Sequence, residues 1–274
     1  CFKLISKKLS IPFTPTEVNR ECTICKGVIK FDGTVTQIGD YAFYESSNLI
    51  SITIPDGVTS IGHGSFCKCY NLTEFKGKFA ADNGRCLIID GALIAYASAS
   101  GTTYAIPNGV IKIGVRAFSG CSSLTSITIP NSVTSIERSA FIGCCSLTSI
   151  TIPDSVTRIE RRAFECCTNL TSIAIPASVT DIGGKAFANC TALESVTIAN
   201  SDTKLDNAVF DGCISLKNIS GISQEDKRSE IIENGKLVTV AAANITKYVI
   251  PAGVTEIGSS AFKGFTTLRS IVIP

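Results

Sequence analysis

Cysteines are the residues of this sequence with the greatest capacity for chemistry, since they can form disulfides, bind metals or act in redox reactions. There are 13 of them, an odd number, and so many cysteines in a secreted protein would suggest a disulfide framework. Six of them recur along the sequence at intervals of 23 or 52 residues: Cys69, Cys121, Cys144, Cys167, Cys190 and Cys213. At one position of a stacked repeat, side chains point the same way rather than towards each other. We therefore predict a structural ladder of free thiols whose S–H groups satisfy backbone carbonyls at a turn.

The other cysteines give weaker signals. Cys145 and Cys166 lie beside ladder cysteines, and we interpret them as tolerated small residues, although pairing with another group stays open. Cys22 and Cys25 form a CxxC motif, but a zinc site needs a second such pair or histidines, and the sequence has only His63. A redox site needs a βαβ context, which is absent. We favour N-terminal capping or incidental spacing over metal or redox chemistry, and we expect no cofactor.

Groups for catalysis are scarce. One histidine and no glycine-rich phosphate loop remove most layouts for nucleophilic or phosphoryl-transfer catalysis, so we expect no enzyme. The net charge of +2 gives no reason to expect a nucleic-acid partner. No stretch approaches 18 uncharged apolar residues, so we expect no direct insertion into a membrane.

A basic cluster is the first candidate for binding. Its members are Arg138, Arg158, Arg161, Arg162 and Lys185, and glutamates are interspersed among them. If these residues stack at the spacing of a repeat, they form a small basic patch that suits an acidic partner surface. The alternative is a solvated face laced with salt bridges.

Most of the chain repeats with one period. A phenylalanine recurs at intervals of 23 or 52 residues, at Phe43, Phe66, Phe118, Phe141, Phe164, Phe187, Phe210 and Phe262. Each interval of 52 is one ordinary unit of 23 plus one unit enlarged by six residues. A period in this range is typical of a solenoid, in which each unit stacks on its neighbours.

One unit contains two extended pieces and a corner. The alternation in 124–129 predicts a strand with one buried face, which Pro130 ends because proline cannot donate to a strand ladder. A second extended piece spans 133–136. The segment 139–144 lacks alternation and contains alanine and glycine, so we predict a tight helical turn or a corner there.

The two enlarged units, at about 78–106 and 222–250, contain a further signal. Apolar runs flank Asp90-Gly91 in one and Asn234-Gly235 in the other, which predicts a two-residue β-hairpin in each. Tyr96, Tyr104 and Tyr248 are candidates for binding edges formed with these hairpins. The alternative is that the hairpins complete the sheet where the coil lengthens.

The unit L-x-x-I-x-I-P-x-x-V-x-x-I-x-x-x-A-F-x-x-C closely resembles the 23-residue repeats of BspA-like leucine-rich-repeat proteins. The resemblance covers about residues 31–274, which leaves 1–30 as an N-terminal cap or flanking segment. It implies a mainly β, right-handed leucine-rich-repeat superhelix of about eleven coils with short helical turns. We expect the chain to be a fragment or a processed form.

The family implies function as well as fold. Its members are mostly cell-surface proteins that adhere to host extracellular-matrix proteins or to other cells, with no shared catalytic residues. We therefore expect a binding module at the cell surface or secreted, with protein partners. The alternative is an intracellular, cytoplasmic scaffold that organises protein assemblies, which free thiols permit equally well.

Overall fold

The computed structural model describes residues 28–29, 35–206, 208–221, 230–233, 235–240, 246–259, 261–262 and 265–274. Short β-strands and turns make up these residues, and no helix occurs among them. The first strands are β1 (Val28–Ile29), β2 (Gln37–Ile38), β3 (Ser51–Ile54), β4 (Ser60–Ile61), β5 (Glu74–Gly77), β6 (Ala80–Ala81), β7 (Cys86–Ile89), β8 (Ala92–Tyr96), β9 (Thr103–Ala105), β10 (Lys112–Ile113), β11 (Ser126–Thr128) and β12 (Ser135–Ile136). The others are β13 (Ser149–Ile150), β14 (Arg158–Ile159), β15 (Ser172–Ile175), β16 (Asp181–Ile182), β17 (Ser195–Ile198), β18 (Lys204–Leu205), β19 (Asn218–Ser220), β20 (Glu230–Glu233), β21 (Lys236–Val240), β22 (Lys247–Val249), β23 (Glu256–Ile257) and β24 (Ser270–Val272).

Two columns of parallel strands run along the solenoid, one for each extended piece of the unit. In the first column, Ser126 pairs with Ser149, which lies 23 residues later. In the second column, Ile136 pairs with Ile159 at the same separation. Equivalent residues of successive units therefore stack directly, as the period predicted, and their inward side chains form continuous apolar columns.

The solenoid makes about nine turns rather than the predicted eleven. Within the described residues, the first column contains the strands β1, β3, β5, β9, β11, β13, β15, β17, β19, β22 and β24. The first and last of these belong to coils that the described residues cover only in part, which accounts for the difference. β1 pairs with β3 in register, so the first strand column includes Val28 and Ile29, inside the range 1–30.

The corner of each unit is a non-helical turn, so the predicted helical turns are wrong. Ser139, two residues before Phe141, has φ of 58°, and Gly143, two residues after it, has φ of 73°. The N–H groups of these three residues donate to carbonyls of the next coil at 2.7–3.0 Å. The N–H groups of the two residues in between, Ala140 and Ile142, each donate to the carbonyl of the residue three positions earlier. Alternate donors thus point out of the turn and extend the ladder between coils, which a helix could not do because it uses its N–H groups internally.

Phenylalanine rings form the centre of the core. Phe118, Phe141, Phe164 and Phe187 are fully buried. Their rings stack at centroid distances of 5.0–5.1 Å with interplanar angles of 3–16°. The distance matches the roughly 4.8 Å spacing of strands in a sheet, so one ring per coil fills the interior without gaps.

Both predicted hairpins are present, and they lie within the second column of strands. β7 and β8 are antiparallel, and β8 continues in parallel with β10. β20 and β21 form the equivalent antiparallel pair, and β21 continues in parallel with β23. At the first hairpin turn, Asp90 and Gly91 have φ of 48° and 75°, as its type requires. The hairpins therefore complete the sheet where the coil lengthens.

Candidate binding surfaces

Tyr96 and Tyr104 do not form a binding edge, so the prediction for these two residues is wrong. Each is only 3% exposed. The N–H of Tyr96 donates to the carbonyl of Ala117 at 3.0 Å, in the pattern that the column phenylalanines follow. Its ring lies 5.1 Å from that of Phe118, so Tyr96 takes the phenylalanine position in the enlarged coil. Tyr104 pairs in register with Ile127 and fills an isoleucine position.

The equivalent tyrosine of the second enlarged coil differs in exposure. Tyr248 is half-buried and pairs in register with Ile271. Its ring packs edge-on against Phe262 at a centroid distance of 5.2 Å. A binding role for Tyr248 stays a prediction.

A polar cluster holds the first hairpin on the solenoid. Arg85 forms an ion pair with Asp82 at 2.7 Å, and its guanidinium lies 4.9 Å from the centre of the Tyr104 ring. Burial raises the pKa of Tyr104, and the neighbouring Cys86 and Asp82 raise it further. The phenol therefore stays neutral, and the cluster has a structural role rather than the geometry of an open site.

The six repeated cysteines form a continuous column between coils. Five thiols lie 3.0–3.3 Å from a phenylalanine carbonyl 26 residues earlier, to which they donate: Cys69 to Phe43, Cys144 to Phe118, Cys167 to Phe141, Cys190 to Phe164 and Cys213 to Phe187. All six are free thiols. Burial raises the pKa of Cys69 to about 12 and that of Cys144 well above its ordinary value. These hydrogen bonds close the ladder at the turn.

The cysteines outside the column differ in how far the structure describes them. Cys145 and Cys166 are half-buried free thiols, and Sγ of Cys145 lies 3.6 Å from the carbonyl of Cys166. Cys22 and Cys25 lie outside the described residues, so the predictions for their CxxC motif stay predictions. Across the part of the chain that the structure describes, no group of three or more His, Cys, Asp or Glu side chains could hold a metal ion. His63 is exposed, and its backbone N–H donates to Asp40 Oδ1 at 2.6 Å.

The basic cluster lies around the second column of strands, in neighbouring coils. Arg158 is in β14, where it pairs in register with Ser135 and Asp181. Arg138 and Arg161 occupy one position of consecutive coils, and both are exposed. The carbonyl of Arg161 accepts a hydrogen bond from Ser139 of the preceding coil at 3.0 Å, which fixes the stacking of these two coils.

Few of these cations are neutralised. Arg162 lies 3.4 Å from Glu165 in an ion pair, and it occupies a turn position with φ of 59°. Among the described residues, no ion pair involves Arg138, Arg158 or Arg161. The surface is therefore less neutralised than the salt-bridged alternative predicted, and three exposed arginines are available to a partner.

Hydroxyl groups cover the first column of strands, but they fall into two classes. The first class bonds to the preceding coil: Oγ1 of Thr125 donates to the carbonyl of Thr102 at 3.1 Å, and Thr148 repeats this contact one coil later. The second class comprises Ser126, Thr128, Ser149 and Thr151. Within the described chain, the hydroxyls of this class make no hydrogen bond.

The free hydroxyls of β11 and β13 border a groove with a volume of about 450 Å³. It is lined by Ser126, Ile127, Thr128, Ile129, Asn131, Ser149, Ile150, Thr151, Ile152, Pro153 and Asp154. This site was missed in the sequence analysis, because its residues repeat the same motif as their neighbours. The groove lies where two neighbouring strands pair over only two residues, for which the sequence gives no signal.

No helix in the described residues has the length and apolar character needed to cross a membrane.

Comparison with known proteins places this architecture in a family. The family model for the BspA type leucine rich repeat region matches six copies, over residues 8–80, 94–217 and 239–274. No protein with curated annotation matches the sequence.

Solved structures of bacterial leucine-rich-repeat proteins share the fold. The pneumococcal vaccine antigen PcpA is 22% identical, with a TM-score of 0.60 over 83% of this chain and 56% of that chain. A leucine-rich repeat protein from Eubacterium ventriosum is 24% identical, with a TM-score of 0.50 over 90% of this chain and 54% of that chain. The chain thus spans little more than half the length of either protein. Repeats of this kind generally mediate protein–protein interactions, and the family match covers most of the sequence, so this chain belongs to the BspA-type leucine-rich-repeat family.

Proposed function

We propose that this chain is a non-enzymatic binding module that acts at the cell surface in adhesion to extracellular-matrix proteins or other cells. Family membership and the repeat architecture support a protein-binding role. The observation on which the proposal depends most is the basic cluster. It presents Arg138, Arg158 and Arg161 on a rigid stack without ion pairs among the described residues.

The rigidity of the solenoid makes this surface suitable for binding. The arginines lie in or next to the strands β12 and β14, which pair in register with each other, and β14 also pairs with β16. They are therefore presented without ordering a loop, and little entropy is lost on association. Exposed cations that face an acidic surface increase the association rate more than they increase affinity. The expected partner surface is therefore acidic.

A binding assay against immobilised extracellular-matrix proteins tests the proposal. We expect the chain to bind at least one of them, and the variant Arg138→Glu/Arg161→Glu to associate about tenfold more slowly at low salt. Most of the salt dependence of association should disappear with it. The matched control is Lys247→Glu/Arg269→Glu, which reverses two exposed charges outside the cluster and should associate like the parent.

Two outcomes contradict the proposal. Absence of binding to every matrix protein and to intact cells excludes adhesion. Equal association rates for the two variants exclude the basic cluster as the contact surface.

An intracellular scaffold is the second candidate, and the ten free cysteines of the described residues favour it, since thiols persist in a reducing compartment. Antibody labelling of intact cells that produce the protein separates the two candidates. Labelling without permeabilisation supports surface display, and labelling only after permeabilisation supports the scaffold.

A further inference from the structure

We propose that the groove between β11 and β13 binds an extended peptide segment of a partner protein, with a lysine or arginine of that segment next to Asp154. This inference rests on the proposed binding function and adds a specific site to it. Four features of the groove support it: unpaired backbone groups, free hydroxyls, an apolar floor and an unpaired carboxylate.

The strand ladder opens at the groove. β11 and β13 pair only through Ser126 with Ser149 and Ile127 with Ile150. By comparison, β15 and β17 pair over four residues. On its other side β13 has no strand partner, because β15 belongs to a separate sheet. The next coil still stacks on this one, because the N–H of Thr171 donates to the carbonyl of Thr148 at 3.3 Å, so the ladder is interrupted here without exposing a sheet edge.

Backbone groups are left unpaired where the ladder opens. In the preceding pair of coils, the N–H of Ile106 donates to the carbonyl of Thr128 at 3.0 Å. The equivalent bond from Ile129 to Thr151 is missing, and Thr151 and Ile152 make no backbone hydrogen bond in the described chain. Backbone donors and acceptors of a folded protein need partners. An extended peptide offers both kinds of group in alternation, so it can bond to these backbone groups from the open side of the groove.

The side chains of the groove suit a peptide as well. Ile129, Ile150 and Ile152 are 7%, 8% and 5% exposed, so they form an apolar floor that is only just accessible. The free hydroxyls of Ser149 and Thr151 stand at the rim, where they can donate or accept. A volume of about 450 Å³ lies in the range of about 300–1,000 Å³ that is typical of ligand sites.

Charge specifies the peptide further. Asp154 is exposed at the end of the groove and forms no ion pair in the described residues. The neighbouring coil places the neutral Asn131 at the same position. A cationic side chain therefore complements this end, whereas an acidic one is repelled.

A phage-displayed library of random octapeptides, selected on the immobilised chain, tests the proposal. Selected peptides should be enriched in β-branched residues and in lysine or arginine. Thr151→Arg fills the groove and should weaken binding of a selected peptide at least tenfold. The matched control is Thr197→Arg, at the same position of β17, which should bind the peptide like the parent.

A charge swap adds a second readout. Asp154→Lys should weaken the selected lysine peptide about two- to fivefold, the range expected for one exposed charge pair, and should favour its lysine-to-glutamate version. The control is Asp56→Lys, an exposed aspartate that also follows a proline in an ordinary coil. Its peptide binding should not change.

Three results would overturn the groove proposal: no peptide enrichment, equal effects of Thr151→Arg and Thr197→Arg, or binding of neutral oligosaccharides in place of peptides. These failures are distinguishable from failure of the proposed function. Capture of matrix proteins without peptide selection refutes the groove alone. Peptide selection without capture of any matrix protein or cell refutes adhesion and leaves the groove in place.

Discussion

The buried thiol ladder should make the stability of this solenoid sensitive to alkaline pH. Cys144 and Cys167 are 0% exposed, and burial raises the pKa of both thiols well above the ordinary value of 9.0. Such a thiol keeps its proton in the folded state while the unfolded chain releases it. Its contribution to stability is therefore fully present below pH 9 and is lost as the pH rises towards the folded pKa.

Proton linkage gives the magnitude of the effect. Between pH 8 and pH 10, an unfolded thiol with a pKa of 9.0 changes from mostly protonated to mostly ionised. This change lowers the free energy of unfolding by about 1.4 kcal/mol for each thiol that stays protonated when folded. The variant Cys144→Ala/Cys167→Ala lacks two such groups. Its free energy of unfolding should fall by about 3 kcal/mol less than that of the parent over the same range.

Urea unfolding followed by circular dichroism, at pH 8 and pH 10 with a reducing agent, measures the difference. The control is Thr148→Ala/Thr171→Ala, which removes two exposed hydroxyls that do not titrate and should keep the pH dependence of the parent. If the cysteine variant loses as much stability as the parent between the two pH values, the ladder thiols are not the groups that resist ionisation.

Three further predictions concern packing and backbone geometry. Phe164→Ala should lower the free energy of unfolding by about 3–5 kcal/mol, because the ring is buried and stacks at 5.1 Å on the rings of both neighbouring coils. The control Thr148→Ala, at an exposed position, should change the free energy of unfolding by about 0.5 kcal/mol or less. Equal effects of the two substitutions would mean that the inward and outward faces of the coil are assigned the wrong way round. Gly77→Ala should lower the free energy of unfolding by about 2–3 kcal/mol, because φ is 78° and an added Cβ would overlap the carbonyl of Ile54. The control Gly109→Ala has φ of 90° and open space around it, so it should lower the free energy of unfolding by about 1 kcal/mol. A Gly77 variant that is no less stable than this control would contradict the steric argument. A thiol reagent should modify the five buried ladder cysteines, Cys69, Cys121, Cys144, Cys167 and Cys190, only after denaturation, and at least six thiols should be counted in the unreduced, denatured chain. Rapid modification of any of these five in the native protein, located by peptide mapping, or a lower count would contradict the buried free ladder.

The sequence was sufficient to predict the solenoid, because a stacked fold imposes its period on the sequence. Each coil buries the same positions against its neighbours, so Phe141 and Phe164 recur 23 residues apart and stack directly. The hairpin turn was equally visible, since Asp90 and Gly91 need positive φ. Both features depend on local chemistry that is repeated or obligatory.

The corner and the tyrosines were less predictable. Alanine and glycine around Phe141 are compatible with a tight helical turn or with a corner, and the inter-coil hydrogen bonds favour a corner with left-handed residues on either side. These bonds exist only after coils stack, so the sequence of one unit does not reveal them. Tyr96 does not lie at the spacing of the repeated phenylalanines, so the period does not predict that it is buried. Its place in the core follows from the path of the hairpin strand that contains it.

The sequence by itself therefore determined the architecture, the inward columns and the residue types on each face. The tertiary structure decided which outward residues are available for binding. Ser149 and Thr151 follow the same motif as Ser172 and Ala174, yet β13 pairs over only two residues with β11, whereas β15 pairs over four residues with β17. The physical reason is that the length over which neighbouring strands pair depends on how all the coils stack. The motif specifies only which side chains face inward.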